Sequence, residues 1–496
     1  MSELQTNLDF LYSSLREIRL ILHANRIISF DLSTICPPKA RENQGETSNY
    51  LSSLAFKLIK DPKFFQSSEY CYNHLNELKP MEQELIKSIH RDYLRTKNIT
   101  PEFQDEINRV QSEAYIHWLE AKAKSDFSLF APYLAKIIEL EKKKISLLDN
   151  KDAIPYNNLI DLYERGMSER DYDSFFTSMK NYLTSKLPMV TKKSQKVRID
   201  FLSREVPIHL QEEFSHFLLE TIGFDFERGA ISTTEHPFTE SMAVDDNRIT
   251  THYFLNNCIS NMFSVIHEGG HAIFGQCQPH ESYEYYIENS MSMGMHESVS
   301  RFFENVIGRS RDFIHYIYPH FQKIFQGIFT DVSEEELYEA INYVSPTLIR
   351  TEADEFTYTL HIVIRYELEK KIIDDEVNVN DLPKMWNDLY EKYLGVRPSN
   401  DTEGILQDVH WTSGFGYFPC YALGNAFNTM YFEKMKKEIN VGELVRIGNF
   451  KPIVEWMTNN VFKKANYLDS KTWIEDITGE KFSAEPFINY LDKKYI

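Results

Sequence analysis

Two histidines four positions apart, His267 and His271, with Glu268 directly after the first, are the residues of this sequence best placed to do chemistry. On a helix that spacing stacks both imidazoles on one face, one turn apart, so a ring nitrogen from each can reach a single ion. Glu268 then points to the side of the same site, where a carboxylate can take a proton from a water activated by that ion. Val265, Ile266, Ala272, Ile273 and Phe274 flank the group and predict a helix buried on most sides. Gly269 and Gly270 fall in mid-helix, at roughly 1 kcal/mol each relative to alanine. Such a cost is expected where a substrate backbone or another helix passes close by. The competing reading is a pair of core histidines with satisfied hydrogen bonds.

A third ligand tips the balance. Met293–Asn305, MGMHESVSRFFEN, reads as a second helix and carries Glu297. Alone, Glu297 would be a solvated helix charge. Beside the HEGGH helix it completes the two-histidine, one-acid set of a catalytic zinc site whose fourth position is open to water. Arg301 and Glu304 share its face at i+4 and i+7 and are left for supporting contacts or the surface.

Positioning these residues falls to a mostly helical chain. Among 496 residues, 42% are hydrophobic, and glycine and proline number only 18 each, so there is material for a large core and little to interrupt helices. Leu4, Leu8, Leu11, Leu15 and Ile18 repeat at helical spacing, and Asn43–Ile59, Glu82–Leu94, Glu102–Lys122, Phe127–Leu148 and Asp171–Leu187 continue the pattern, with Pro132 a candidate break. Between Val197 and Tyr253 the texture turns to Thr, Ile and aromatics. Ile199–Leu202, Gly229–Thr233 and Arg248–Tyr253 are expected to form a small sheet of about three strands beside the metal helix, an edge suited to an extended peptide. Helices return at Arg301–Arg309, Ile314–Phe329, Glu334–Asn342, Pro346–Ile373 and Leu382–Leu394. No linker-like composition appears, so one domain over 1–496 is expected. A net charge of −20 argues against nucleic acid and anionic membranes as partners. Five scattered cysteines without C-x-x-C spacing, an N-terminus unlike a signal peptide and no run long enough for a membrane span point to a cytoplasmic protein.

Three further clusters could bind substrate. In Asp246–Thr250, Arg248 beside an aspartate could clamp a carboxylate, or simply be an exposed strand arginine. In Ile349–Glu355, Arg350 and Asp354 stand at i, i+4 and could be no more than a helical salt bridge. In Gly404–Trp411, His410, with Tyr417 and Tyr421 downstream, could supply neutral donors to a developing oxyanion, or be structural.

Together these stretches closely resemble the carboxypeptidase Taq family of metal-dependent carboxypeptidases. Its five motifs stand here in order as Asp246–Thr250 (DxRxT), His267–His271 (HExxH), His296–Ser298 (HES), Ile349–Asp354 (IRxxAD) and Gly404–Trp411 (GxxQDxHW). Softer likenesses, such as LIDLYERGM from Leu159, extend over nearly the whole chain. The resemblance implies a mainly α fold around a deep groove closed at one end. Residues 1–195 would form one wall, and 196–496 would carry the sheet, the metal and the substrate motifs. It implies removal of single residues from peptides with a free C-terminal carboxylate, broad preference, zinc or in some members cobalt, and homodimers. By motif match His267, His271 and Glu297 would be ligands, Glu268 the catalytic carboxylate, Arg248 and Arg350 carboxylate binders, and His410 a transition-state contact. Tyr421 is added by analogy with related peptidases, with Tyr417 in reserve. An endopeptidase on a similar scaffold and a catalytically silent peptide-binding homologue are the rival readings.

Overall fold

A computed structural model describes residues 2–287, 291–465 and 468–496. Helices dominate it, and its one sheet has three strands in the order β1-β3-β2. β1 (Gly229–Thr233) pairs parallel with β3 (Asp246–Thr251), and β2 (Thr239–Ala243) lies antiparallel on the other side of β3, with a register shift between Ser241 and Ala243. No helix among the described residues is long and apolar enough to cross a membrane.

The core divides unevenly. Leu8, Leu11, Ile18, Phe64, Cys71 and Ile86 pack into a small cluster of their own, which holds the first helices together. From Phe103 onward most of the buried apolar side chains form one large cluster. Two helices run through it with little amphipathic character, Tyr358–Ile373 and Phe418–Glu438. A helix buried nearly all round has no solvent face on which to put polar residues. The polar groups it does carry, such as His361, Arg365 and Glu369, are therefore held by specific partners.

Several expectations about local structure are corrected. Ile199–Leu202 is not a strand. Residues Asp200–Ser203 form a 3-10 turn, held by Arg198 and Arg204, which both reach Asp331. The third strand is Thr239–Ala243, whose sequence TESMA carries little strand preference and whose extended state comes from pairing with β3. Pro346–Ile373 is not one helix: it starts at Tyr358, and Arg350–Glu352 is an isolated 3-10 turn. Asp354 accepts the N–H groups of Thr357 and Ser345, so it closes a turn where a salt bridge to Arg350 was expected. Finally, the helix Met293–Arg301 continues as a π-helical stretch, Phe302–Ile307. Phe127–Leu148 divides at Pro132 as expected: Phe127–Leu129 is a 3-10 turn, and Pro132 stands in the first turn of the helix Ala131–Ser146, a position proline tolerates.

Of the two reasons for paired glycines in the metal helix, the second applies. A Cβ on Gly270 would lie 2.9 Å from Ser300 Cα, and one on Gly269 would meet Ile222 and Leu219 at 2.8 Å. The neighbouring helices cross there almost backbone to backbone. Because Ser300 presents backbone, Gly270→Ala forces the helices apart, and a loss of about 1–3 kcal/mol is expected. Gly269→Ala meets only flexible side-chain tips and should cost less. Thermal unfolding of the two variants measures the difference.

Candidate metal centre and substrate site

Helix Cys258–Gln276 carries His267 and His271, and Met293–Arg301 crosses it with Glu297 facing both rings. Glu297 Oε2 lies 3.9 Å from His267 Nε2 and 3.8 Å from His271 Nε2, and the ligand atoms of all three residues fall within 4.8 Å of one another. An ion about 2.1 Å from each donor spans pairs up to roughly 4 Å apart, so the separations from Glu297 suit a shared cation.

The far side of each ring is also engaged. Glu304 accepts from His267 Nδ1 at 2.9 Å, which leaves Nε2 as the free lone pair, and His271 Nδ1 is in hydrogen-bond contact with His296 Nδ1. Arg301 donates to Glu297 at 2.8 Å and to Glu304 at 3.2 Å. Burial works against charge on His267, but Glu297 and Glu304 outweigh it and raise its pKa. Burial, with His296 and His267 nearby, holds His271 neutral, far below the ordinary histidine range. Two imidazole nitrogens and one carboxylate, each oriented by an outer partner, are the donor chemistry of a divalent transition metal. Glu304→Ala removes the acceptor that orients His267. It is expected to weaken metal binding by about 10–100-fold, as read by competition with a chelator.

Glu268 is buried beside this trio without joining it, and Thr239 of β2 donates to its Oε2 at 2.6 Å. Burial raises its pKa, a shift that suits a proton carrier working near neutrality.

The second half of the site lies on the segments 350–352 and 404–421. Arg350 is buried and donates from Nε and Nη2 to Asp408 Oδ1 at 3.0 and 2.9 Å, and from Nη1 to the Tyr358 hydroxyl at 3.3 Å. Asp408 also accepts from Arg365 at 2.7 Å, so one carboxylate serves two guanidinium groups and the trio keeps a surplus positive charge. Gln407 accepts the Arg350 N–H at 3.0 Å and donates to Leu348 and Gly404 carbonyls, pinning the turn. Glu369 fixes the following loop by accepting from Trp411 and the Gly416 N–H, each at 2.8 Å.

His410 Nε2 lies 3.2 Å from the Tyr421 hydroxyl, and its Nδ1 is buried with no hydrogen-bond partner among the described residues. Burial, helped by Arg350 and Arg365 against the pull of Asp408, pushes His410 down to about 4, so it is neutral at physiological pH. Tyr421 and Tyr417, at the start of Phe418–Glu438, stand edge to face with centroids 5.1 Å apart, and the Arg350 guanidinium lies 5.0 Å from the Tyr421 ring centre. Tyr358 links the halves: it accepts from Arg350, and the Arg301 guanidinium sits 4.6 Å from its ring centre. Arg248 is placed differently. On β3, it holds Asp246 bidentately at 2.8 Å and leans toward Phe30, and it is partly exposed.

Several supporting residues escaped the sequence reading. Asp408 and Arg365 pair across 43 positions, and Thr239 belongs to the unrecognised strand. His296 stood in plain view beside Glu297, with nothing local to signal its contact with His271.

Comparison with known proteins identifies the family. The carboxypeptidase Taq (M32) metallopeptidase model matches residues 10–495. Carboxypeptidase 1 of Bacillus subtilis is 35% identical, the match covering 98% of this chain and 97% of that one. The thermostable carboxypeptidase 1 of Thermus thermophilus is 33% identical over 97% and 96%. A solved M32 carboxypeptidase from Deinococcus radiodurans superposes with a TM-score of 0.95 at 29% identity, covering 99% of each chain. The Pyrococcus furiosus carboxypeptidase gives 0.94 at 32%, covering 100% of this chain and 99% of that one. The chain belongs to the carboxypeptidase Taq family and is a metal-dependent carboxypeptidase.

Proposed function

We propose that His267, His271 and Glu297 hold the divalent ion, Glu268 moves the proton, and Arg350 receives the substrate's terminal carboxylate. The ligand set favours zinc, with cobalt as the alternative. Bound there, such an ion supplies Lewis acidity that polarises the scissile carbonyl and acidifies a water. Glu268 takes the proton from the attacking water and passes it to the leaving amine, so the C–N bond breaks without releasing an amide anion. Neutral His410 and the Tyr421 hydroxyl donate toward the carbonyl oxygen as charge develops, with Tyr417 as the substitute donor. β2 offers its backbone to the extended peptide upstream of the cut bond.

The observation that carries this reading is the surplus charge around Asp408. Two buried guanidinium groups share one carboxylate, and a substrate carboxylate is the anion that completes the set. Arg248, already paired by its own aspartate, is kept as a secondary contact for peptide. The reading includes a homodimer, supported by family membership, and a cytoplasmic location, supported by five free thiols.

Mass-spectrometric ladder analysis of a peptide mixture tests it. Free peptides should lose C-terminal residues one at a time, and chelator or C-terminal amidation should stop the ladder. Interior cleavage, or equal trimming of amidated peptides, would refute the carboxylate-anchored mechanism.

A further inference from the structure

The stretch LIDLYERGM from Leu159 has no part in the chemistry above, yet it places a fully buried acid, Glu164, at the end of helix Pro155–Tyr163. Glu164 Oε2 accepts the Gly294 N–H at 2.7 Å. Its Oε1 accepts the Ser292 hydroxyl at 2.5 Å, and the Ser470 hydroxyl closes on the same oxygen. Ser292 is the N-cap and Gly294 the first turn of Met293–Arg301, the helix that presents Glu297. The free N–H groups at the start of that helix therefore meet a carboxyl group supplied from 130 positions away.

The surroundings separate two kinds of restraint. A Cβ on Gly424 would stand 2.7 Å from Glu297 Cγ and 3.1 Å from its backbone carbonyl carbon, so Glu297 is seated directly on Phe418–Glu438. That contact, with the Tyr431 hydroxyl on the Ser298 carbonyl at 2.8 Å, holds the middle of the helix against its neighbour but does not reach its first turn. Glu164 holds that first turn. Its approach depends on Gly294, where a Cβ would lie 2.5 Å from the carboxylate. Glu297 follows Gly294 by three positions, about 4.5 Å along the axis. A slip of a fraction of one residue rise would move its carboxylate relative to both histidines, which ride on a different helix.

We propose that Glu164 is a positioning residue for the metal centre, fixing the axial register of the helix that carries Glu297. The inference rests on the assignment of Glu297 as a ligand.

The test uses the full chain with zinc and cobalt(II) as probes, and the variants Glu164→Gln, Glu164→Ala and Glu297→Ala. Zinc affinity is read by chelator competition, ligand geometry by the visible spectrum of the cobalt form, and folding by thermal unfolding of the metal-free protein. Glu164→Ala should weaken zinc by about tenfold or more and alter the cobalt bands. Glu164→Gln, which keeps an oxygen for Gly294, should fall between it and the parent. If Glu164→Ala does not fold, Glu164→Gln decides alone. Zinc bound as tightly as in the parent, with an unchanged cobalt spectrum, overturns the proposal even if the unfolding midpoint drops, because that pattern marks a purely structural cap. Glu297→Ala keeps the two failures apart: if that variant binds zinc like the parent, the ligand assignment itself is wrong.

Discussion

Glu268→Gln is expected to lower kcat by about 10²–10⁴-fold while leaving the bound metal in place. The substitution is nearly isosteric, and the amide still accepts the Thr239 hydroxyl that now meets the carboxylate at 2.6 Å. The atoms proposed to face the ion are His267 Nε2, His271 Nε2 and Glu297 Oε2, none of which the substitution touches. What disappears is the capacity to accept a proton, and nothing nearby replaces it. Glu304 is committed to His267 and Arg301, and its pKa is held low because Arg301 and His267 outweigh the cost of its burial. Elemental analysis of the variant and its rate of amino-acid release are the two measurements. A variant with full metal and undiminished turnover would remove Glu268 from the proton path.

How much of this was readable beforehand depends on the range of the interaction involved. His267, His271 and Glu268 were legible because their geometry is set by one helical turn, and Glu297 because its own helix was periodic enough to recognise. Arg350 was found as a residue and given the wrong partner. Helical arithmetic pointed to Asp354, four positions on, but that carboxyl closes the turn at Thr357, and the guanidinium goes to Asp408 instead. A contact between chain segments 58 positions apart leaves no period in the sequence. β2 was invisible for a related reason, since TESMA becomes a strand only once β3 lies beside it. In Ile199–Leu202 a short apolar run looked like a strand, and paired arginines bent it into a turn. The glycines of HEGGH announced a close approach, and only the fold shows that Ser300 makes it.

Arg350→Ala is expected to lower kcat/KM on peptides with a free C-terminus by about 30- to 5,000-fold, the range that corresponds to losing roughly 2–5 kcal/mol from a buried charge pair. The same change should leave hydrolysis of amidated peptides, already slow, nearly untouched, so the ratio between the two substrates collapses. The fold should survive, because Arg365 still neutralises Asp408 at 2.7 Å and Trp386 stacks beside it. Arg350→Lys separates charge from shape. A lysine restores a cation but not the planar fork that meets Asp408 on one side and a carboxylate on the other, so only partial recovery is expected. Arg248→Ala is the comparison that gives the experiment its force. That guanidinium is partly exposed and already held bidentately by Asp246, so its loss should change kcat/KM far less and should not erase the preference for a free terminus. If the two arginines gave the opposite order, the surplus charge around Asp408 would be a feature of the core, and the terminal carboxylate would belong on β3.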